Sequence, residues 1–182
     1  NIIMNYNTQM QDIENFNENY FKRKIRIDRN IVPKECIELK QFIQHLISFC
    51  EQVKKIIPTD YYLKAFIQFV KVSKTANPYF IYEQYLSYIY PLREPIMEEN
   101  EEYLINIDYN EYTKDKIPLS KVLSLKRIYE YKISDNNKKM IWKYMKILVI
   151  LGNKVTETLF IKIPEPLPLK HTIDKKDLVK SK

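Results

Sequence analysis

Apolar residues between Pro33 and Pro58 recur at alternating spacings of three and four, which is the period of an amphipathic α-helix. The stripe consists of Cys36, Leu39, Ile43, Leu46, Cys50, Val53 and Ile57, widened by Phe42, Phe49 and Ile56. We expect Pro33 in the first turn of this helix and Pro58 just beyond its end. The stripe covers only about three heptads, so the pattern favours a helix of a bundle over a sustained coiled coil.

Two more helices are predicted after Pro58. Thr59 or Asp60 is placed to cap the second helix. Its inward positions are Leu63, Phe66, Ile67 and Val70. Asn77 precedes a proline, which disfavours helical backbone, so the second helix should stop there. A third helix is predicted from Pro78 to Tyr90, and it is so rich in aromatic residues that much of it must lie in the core or against a partner.

The acidic middle of the chain gives weaker patterns. A short helix is predicted over 91–99, then a loop with an extended piece from Tyr103 to Asp108, and then a helix from Pro118 to near Tyr131. The carboxylates of this segment are Glu98, Glu99, Glu101, Glu102 and Asp108. They lack the alternating Asp and the Gly of a calcium loop. We therefore expect a solvated acidic loop, with a docking patch for a basic surface or a catalytic carboxylate pair as alternatives.

The last predicted helix begins at a cap formed by Ser134 or Asp135. Its inward stripe is Ile141, Tyr144, Met145, Leu148 and Leu151. Trp142 and Val149 widen this stripe, so the helix should lie centrally and Trp142 should be a core residue; a partner surface is the alternative for Trp142. Gly152, the only glycine of the chain, stands where the stripe ends. It is predicted to end the helix in a left-handed conformation.

These elements predict an all-α protein, a compact bundle of about five to six helices with extended N- and C-terminal arms. The bundle is assigned to residues 32–152, between a polar and basic N-terminal arm, residues 1–31, and a C-terminal arm rich in Pro and Lys, residues 153–182. In the N-terminal arm, the alternation from Lys24 to Ile27 resembles a short strand or an extended adhesive arm. A solvated lead-in to the first helix is the alternative.

The composition indicates where the protein is located and weakens the case for nucleic-acid binding that the net charge would otherwise make. Hydrophobic residues make up 45% and charged residues 29% of the chain, which is typical of a packed protein. The excess of Asn, Ile, Lys and Tyr indicates an AT-rich source genome, so the net charge of +7 is weak support for nucleic-acid binding. The longest apolar run, "ILVIL", is too short for a membrane span, and "NIIMNYNTQM" is unlike a signal peptide. We expect an intracellular protein without membrane insertion.

The cysteines and histidines give no catalytic or metal pattern. Cys36 and Cys50 are about 21 Å apart on one predicted helix, whereas a disulfide needs about 5.5 Å between Cα atoms, so two free thiols in a reducing compartment are expected. Cys36 and His45 are about 13 Å apart, too far to act as nucleophile and base. His45 and His171 lack a second ligand at metal spacing. A single glycine excludes the Walker loop and the dinucleotide fingerprint, so no catalytic, cofactor-binding or metal residues are predicted.

Four segments together resemble a known group of proteins: "VKKIIP", "KTANPYFIYEQYLSYIYPLREPI", "EEYLINIDY" and "LKRIYEYKISDNNKKMIWKYMKILVILG". The chain resembles small all-helical proteins, mostly without assigned function, of nucleocytoplasmic large DNA viruses of the mimivirus-like and chlorella-virus-like groups. The matching residues are Asn77, Pro78, Pro91, Asp108, Tyr109 and residues 137–144. The resemblance covers residues 34–152 and departs from the family at Leu92 and at Tyr103-Leu104. It implies a viral source and carries over no catalytic residues.

The resemblance and the absence of a chemical motif lead to a functional expectation. We expect a non-enzymatic helical structural or interaction protein, a minor capsid-associated virion component or a virus-factory component, whose arms dock other viral structural proteins. The location is then the virion or the host cytoplasm and its virus factory. The alternative is a nucleic-acid-associated accessory protein of viral transcription or genome packaging. In either case, the predicted contact residues are Lys22, Arg23, Lys24, Arg26, Arg29, Lys175 and Lys176.

Overall fold

A computed structural model describes residues 26–107 and 122–159 of the chain. Within these residues the backbone forms seven α-helices and no strand, which confirms the all-α class. The helices are α1 Ile37–Ile56, α2 Tyr61–Ala76, α3 Pro78–Tyr88, α4 Arg93–Met97, α5 Glu101–Asn106, α6 Leu125–Tyr129 and α7 Asp135–Thr158. A 3₁₀ turn, Tyr90–Leu92, separates α3 from α4.

The first helix, α1, packs along the last helix, α7, and also contacts α2 and α3. Every residue of the predicted stripe from Cys36 to Ile57 is buried, so this part of the pattern is confirmed. The predicted place of Pro33 in the first turn is wrong, because α1 begins after Cys36. The carbonyl of Pro33 instead accepts a hydrogen bond of 2.5 Å from the hydroxyl of Tyr79, which holds the preceding segment against α3.

The second helix follows its prediction closely. Asp60 is the N-cap of α2, and its Oδ1 accepts a hydrogen bond of 2.7 Å from the backbone N–H of Leu63. The four inward positions, Leu63, Phe66, Ile67 and Val70, are all buried. The helix ends at Ala76, and Pro78 is the first residue of α3. Local signals were sufficient here because the cap and the proline each act within a few residues.

The aromatic helix α3 is buried as predicted. The side chains of Tyr79, Ile81, Tyr82, Tyr85, Leu86 and Tyr88 all lie in the interior. The helix ends at Tyr88 instead of Tyr90, and Pro91 lies in the 3₁₀ turn. The predicted short helix over 91–99 is α4, which is limited to Arg93–Met97.

The prediction of an extended piece from Tyr103 to Asp108 is wrong for its described part. Residues through Asn106 form the helix α5, which Asn100 caps by accepting a hydrogen bond of 3.0 Å from the backbone N–H of Tyr103. Leu104 is the buried residue that ties this helix to the core. Of the next predicted helix, Pro118 lies outside the described residues, and α6 ends at Tyr129, close to the expected end.

Ser134 is the N-cap of α7, and its hydroxyl accepts a hydrogen bond of 3.3 Å from the backbone N–H of Asn137. The helix contacts α1 more extensively than any other described helix, and Trp142 is 5% exposed within the core, so the predictions of a central helix and a core Trp142 are confirmed. The predicted end of the helix at Gly152 is wrong. The helix continues to Thr158, and Gly152 does not have a positive φ.

A tertiary contact explains Gly152. A Cβ atom at this position would overlap the ring and hydroxyl of Tyr85, which lies on the backbone of α7. The neighbouring hydroxyl of Tyr82 donates a hydrogen bond of 2.7 Å to the Gly152 carbonyl, and Thr156 Oγ1 donates another of 3.0 Å. Burial raises the pKa of both tyrosines. Gly152 therefore lets the ring of Tyr85 lie against the backbone of α7; it does not end the helix.

Candidate interaction surfaces

Only two of the predicted contact residues fall within the part of the chain that the structure describes. These are Arg26 and Arg29; the others, Lys22, Arg23, Lys24, Lys175 and Lys176, lie outside it, as does His171. No strand forms over the described end of the Lys24–Ile27 alternation, Arg26 and Ile27. Arg26 is exposed, whereas Ile27 is buried in the core.

The segment that leads into α1 is attached to α3 through the buried carboxylate of Glu83. Oε1 of Glu83 accepts a hydrogen bond of 2.7 Å from the backbone N–H of Ile27. The same oxygen lies 3.0 Å from Nη1 of Arg29. Part of the predicted N-terminal arm therefore belongs to the helical body, because the backbone N–H of Ile27 and the guanidinium of Arg29 both bind the buried carboxylate of Glu83.

Arg29 is a structural residue in this arrangement. Its Nη1 donates to the carbonyl of Ile27 at 3.1 Å, and its Nη2 donates to Oδ1 of Asn77 at 3.3 Å. Its guanidinium carbon lies 5.2 Å from the centre of the Tyr79 ring. Arg26 and Arg29 are both exposed, but a phosphate or partner contact by Arg29 would compete with these interactions.

A second buried carboxylate joins helices that are distant in the sequence. Asp60, which caps α2, forms an ion pair with Arg127 of α6 through Oδ2. The hydroxyl of Tyr131 donates to the same oxygen at 3.1 Å, and Nη2 of Arg127 donates to the carbonyl of Val122 at 2.5 Å. The sequence identified Asp60 only as a cap candidate, since no local pattern shows which basic residue will face it.

The described histidine and both cysteines lie in structural positions. Nε2 of His45 donates to the Tyr144 carbonyl at 2.9 Å, and the two rings stack with centres 5.1 Å apart. Burial lowers the pKa of His45 and raises the pKa of Cys50 to about 12. Burial also raises the pKa of Cys36. Both thiols are free, and the raised pKa values of the two cysteines favour the protonated thiol, which is a poor nucleophile.

The acidic segment and the lysines of α7 form a shared surface. Lys146 pairs with Glu99 at 2.5 Å, and Lys138 pairs with Glu101 at 3.3 Å. Both acids are at least partly exposed to solvent as predicted, but each also pairs with a lysine of α7, and Glu101 lies in the helix α5 instead of a loop. The remaining lysines of α7, Lys139, Lys143 and Lys154, are exposed and form no ion pair within residues 26–107 and 122–159. These three lysines share one face of α7 with the exposed acids Asp135 and Glu157, so that face carries a small excess of positive charge.

Comparison with protein-family models, with curated proteins and with solved structures finds no match to this chain. The resemblance to the viral proteins therefore stays a prediction. Across the two described ranges, no cluster of three or more His, Cys, Asp or Glu residues could hold a metal ion. None of the helices in those ranges combines the length and the apolar character that crossing a membrane requires.

Proposed function

We propose that this protein is a non-enzymatic helical interaction protein whose helical body is a scaffold for docking neighbouring proteins. The proposal rests on what the two buried carboxylates, Asp60 and Glu83, bind. Asp60 binds Arg127, Tyr131 and a helix N-terminus, and Glu83 binds the N-terminal segment. Both buried carboxylates are held by groups of the protein itself, so their role is structural, and removal of a partner would leave a buried charge uncompensated.

The setting of this function rests on the resemblance. It supports a minor capsid-associated component of a virion, or a component of a virus factory, with other viral structural proteins as partners. We assign docking to residues 1–25 and 160–182 instead of the full arms, because Ile27 and Val155 are buried in the helical body.

Truncation tests the docking function. The full chain and variants lacking residues 1–25 or 160–182 would each be used as bait in a native pull-down from the source cells, followed by mass spectrometry. We expect each truncation to lose partners while its thermal melt, followed by circular dichroism, stays close to that of the full chain. Capture of the same partners by both truncated variants would contradict the proposal, as would loss of the cooperative melt.

A second candidate function is association with nucleic acid in viral transcription or genome packaging. It is favoured by the exposed, unpaired face of Lys139, Lys143 and Lys154 on α7. Phosphate contacts release counterions, so the logarithm of affinity should fall with the logarithm of salt concentration by about 0.9 per contact for a duplex. Lys139→Gln with Lys143→Gln should reduce this slope. An affinity that does not change with salt would contradict the candidate.

A further inference from the structure

Three exposed tyrosines lie around the N-terminus of α2. Tyr61 and Tyr62 stand in the first turn of α2 and are 75% and 39% exposed; Tyr131 follows α6 and is 42% exposed. The hydroxyl of Tyr131 donates to Asp60, the residue directly before Tyr61. This hydrogen bond places Tyr131 beside the start of α2, although the two segments are about 70 positions apart in the sequence. We call Tyr61, Tyr62 and Tyr131 the tyrosine surface.

Asp60, which supports the tyrosine surface, is held in place by other groups of the protein. Asp60 is 4% exposed, and the Leu63 N–H and the guanidinium of Arg127 hold its carboxylate. The rings of Tyr61 and Tyr62 meet edge to face, with centres 6.2 Å apart and planes at 73°. Aromatic side chains whose supports are ordered before binding lose little conformational entropy when a ligand stacks on them.

The charges around the tyrosine surface are mainly positive. Lys64 lies three positions after Tyr61 on α2, and therefore on the same helix face. Lys126 and Lys132 flank Tyr131 in the sequence, and all three lysines are exposed. The exposed acids near Tyr131 in the sequence are Glu130 and Asp135, which leaves an excess of one positive charge. Aromatic faces surrounded by cations match the two chemical parts of a nucleic-acid strand, its bases and its phosphates.

We propose that the tyrosine surface binds single-stranded nucleic acid by stacking unpaired bases on Tyr61 and Tyr131, while Lys64, Lys126 and Lys132 contact phosphates. A duplex keeps its bases stacked within the helix and cannot offer their faces to these rings. The three exposed lysines near Tyr61 and Tyr131 are the local feature that favours this polyanion over a protein partner. The inference deepens the second candidate function and rests on it.

Fluorescence anisotropy with the full chain tests this site. The probes are a labelled mixed-sequence DNA of about 15 nucleotides, as a single strand and as a duplex. Tyr61→Ala should weaken single-strand binding about ten-fold, because one stacking contact is lost, whereas Tyr61→Phe should bind like the parent. Val72→Ala, at a 70% exposed position of the same helix, is the matched control and should have no effect.

Tyr131 needs two variants because its hydroxyl also supports Asp60. Tyr131→Phe should retain binding, whereas Tyr131→Ala should weaken it about ten-fold. Lys64→Gln should lower the salt slope by about 0.7, while Lys74→Gln near the other end of α2 should not. The inference would be overturned if the parent binds in a salt-dependent way but Tyr61→Ala and Tyr131→Ala bind the single strand as tightly as the parent does. That result would leave the second candidate function standing. Failure of the parent to bind either probe would overturn both.

Discussion

At Gly152 a hydrogen atom in place of a methyl group allows the ring of Tyr85 to lie against the backbone of α7. Glycine in a helix interior normally destabilises the helix by about 1 kcal/mol relative to alanine. We expect the contact with Tyr85 to offset this cost. At the residue scale, the side chain that explains the glycine is 67 positions away in the sequence, and no local pattern could identify it.

Gly152→Ala should destabilise the protein by about 1–3 kcal/mol, because the added methyl group must displace Tyr85 in a packed interior. Urea unfolding followed by circular dichroism would measure the change. Lys154→Ala, at an exposed position of the same helix, is the control and should change stability by less than about 0.5 kcal/mol. A stabilising effect of Gly152→Ala would show that the helix propensity of alanine outweighs the contact.

The pair of residues can be tested together. In a Tyr85→Leu background the ring no longer lies on the helix, so Gly152→Ala should cost clearly less than it does in the parent. A helix end at Gly152, as the sequence suggested, would give the same cost in both backgrounds. The double-mutant cycle therefore separates a packing glycine from a terminating one.

His45 makes stability depend on pH. Burial lowers its pKa from the ordinary value of 6.5 in the folded state, so the unfolded state binds a proton more readily. The stabilising contribution is present above the unfolded pKa and is lost as pH falls through the folded pKa. We expect melting temperature to fall between about pH 7.5 and about pH 5, and His45→Gln to reduce this dependence.

Proton NMR would follow the His45 ring directly. The folded protein should show a His45 titration midpoint below 6.5, and the His45→Gln spectrum identifies which of the two histidine signals belongs to it. His171→Gln is the control and should leave the signal of His45 unchanged. A midpoint at or above 6.5 would show that the hydrogen bond to the Tyr144 carbonyl outweighs the effect of burial.

At the scale of elements, the Asp60–Arg127 pair decides how α6 meets α2. Asp60→Ala should cost about 3–5 kcal/mol, because it removes a helix cap and leaves a guanidinium that is 16% exposed without its acid. Glu51→Ala breaks the more exposed pair with Lys71 and is the control, with an expected cost below about 1 kcal/mol. Equal costs in urea unfolding would mean that the buried pair contributes no more than the surface pair.

The segment before α1 is an element without regular secondary structure, and Glu83 fixes it. Removing residues 1–31 should lower the melting temperature, because Ile27 leaves the core and Glu83 loses both of its partners. Removing only residues 1–25 retains these contacts and should have little effect. Glu83→Gln should lower stability in the full chain but have a smaller effect after removal of residues 1–31. Equal melts of the two truncated chains would contradict a structural role for Ile27 and Arg29.

At the scale of the whole molecule, Trp142 reports on a single core. Trp142 is 5% exposed and belongs to the hydrophobic core. Native fluorescence should be blue-shifted and should move to the red in one cooperative step. Trp142→Ala should cost about 3–5 kcal/mol of the roughly 5–15 kcal/mol available to such a domain, whereas Trp142→Phe should cost less. Red native emission that a soluble quencher reduces would contradict burial in the core.

The sequence by itself determined the class of the fold and most helical faces. Periodic burial and capping act within a few residues, so the stripes of α1 and α2 follow from local order. The caps were narrowed to Thr59 or Asp60 and to Ser134 or Asp135, and the structure has Asp60 and Ser134. Short elements were less certain, because α5 has one buried residue, Leu104, and so gives no period.

The tertiary structure decided which residues meet. It placed Tyr85 on Gly152, Arg127 beside Asp60, and Arg29 beside Glu83. It also brought Tyr61 and Tyr131 to one surface through Asp60. Pairing across tens of residues depends on how helices pack and on which charges become buried together, and neither is encoded in a local period. The helices could therefore be predicted from the sequence, whereas the role of its only glycine and the proposed binding surface depend on how the helices pack.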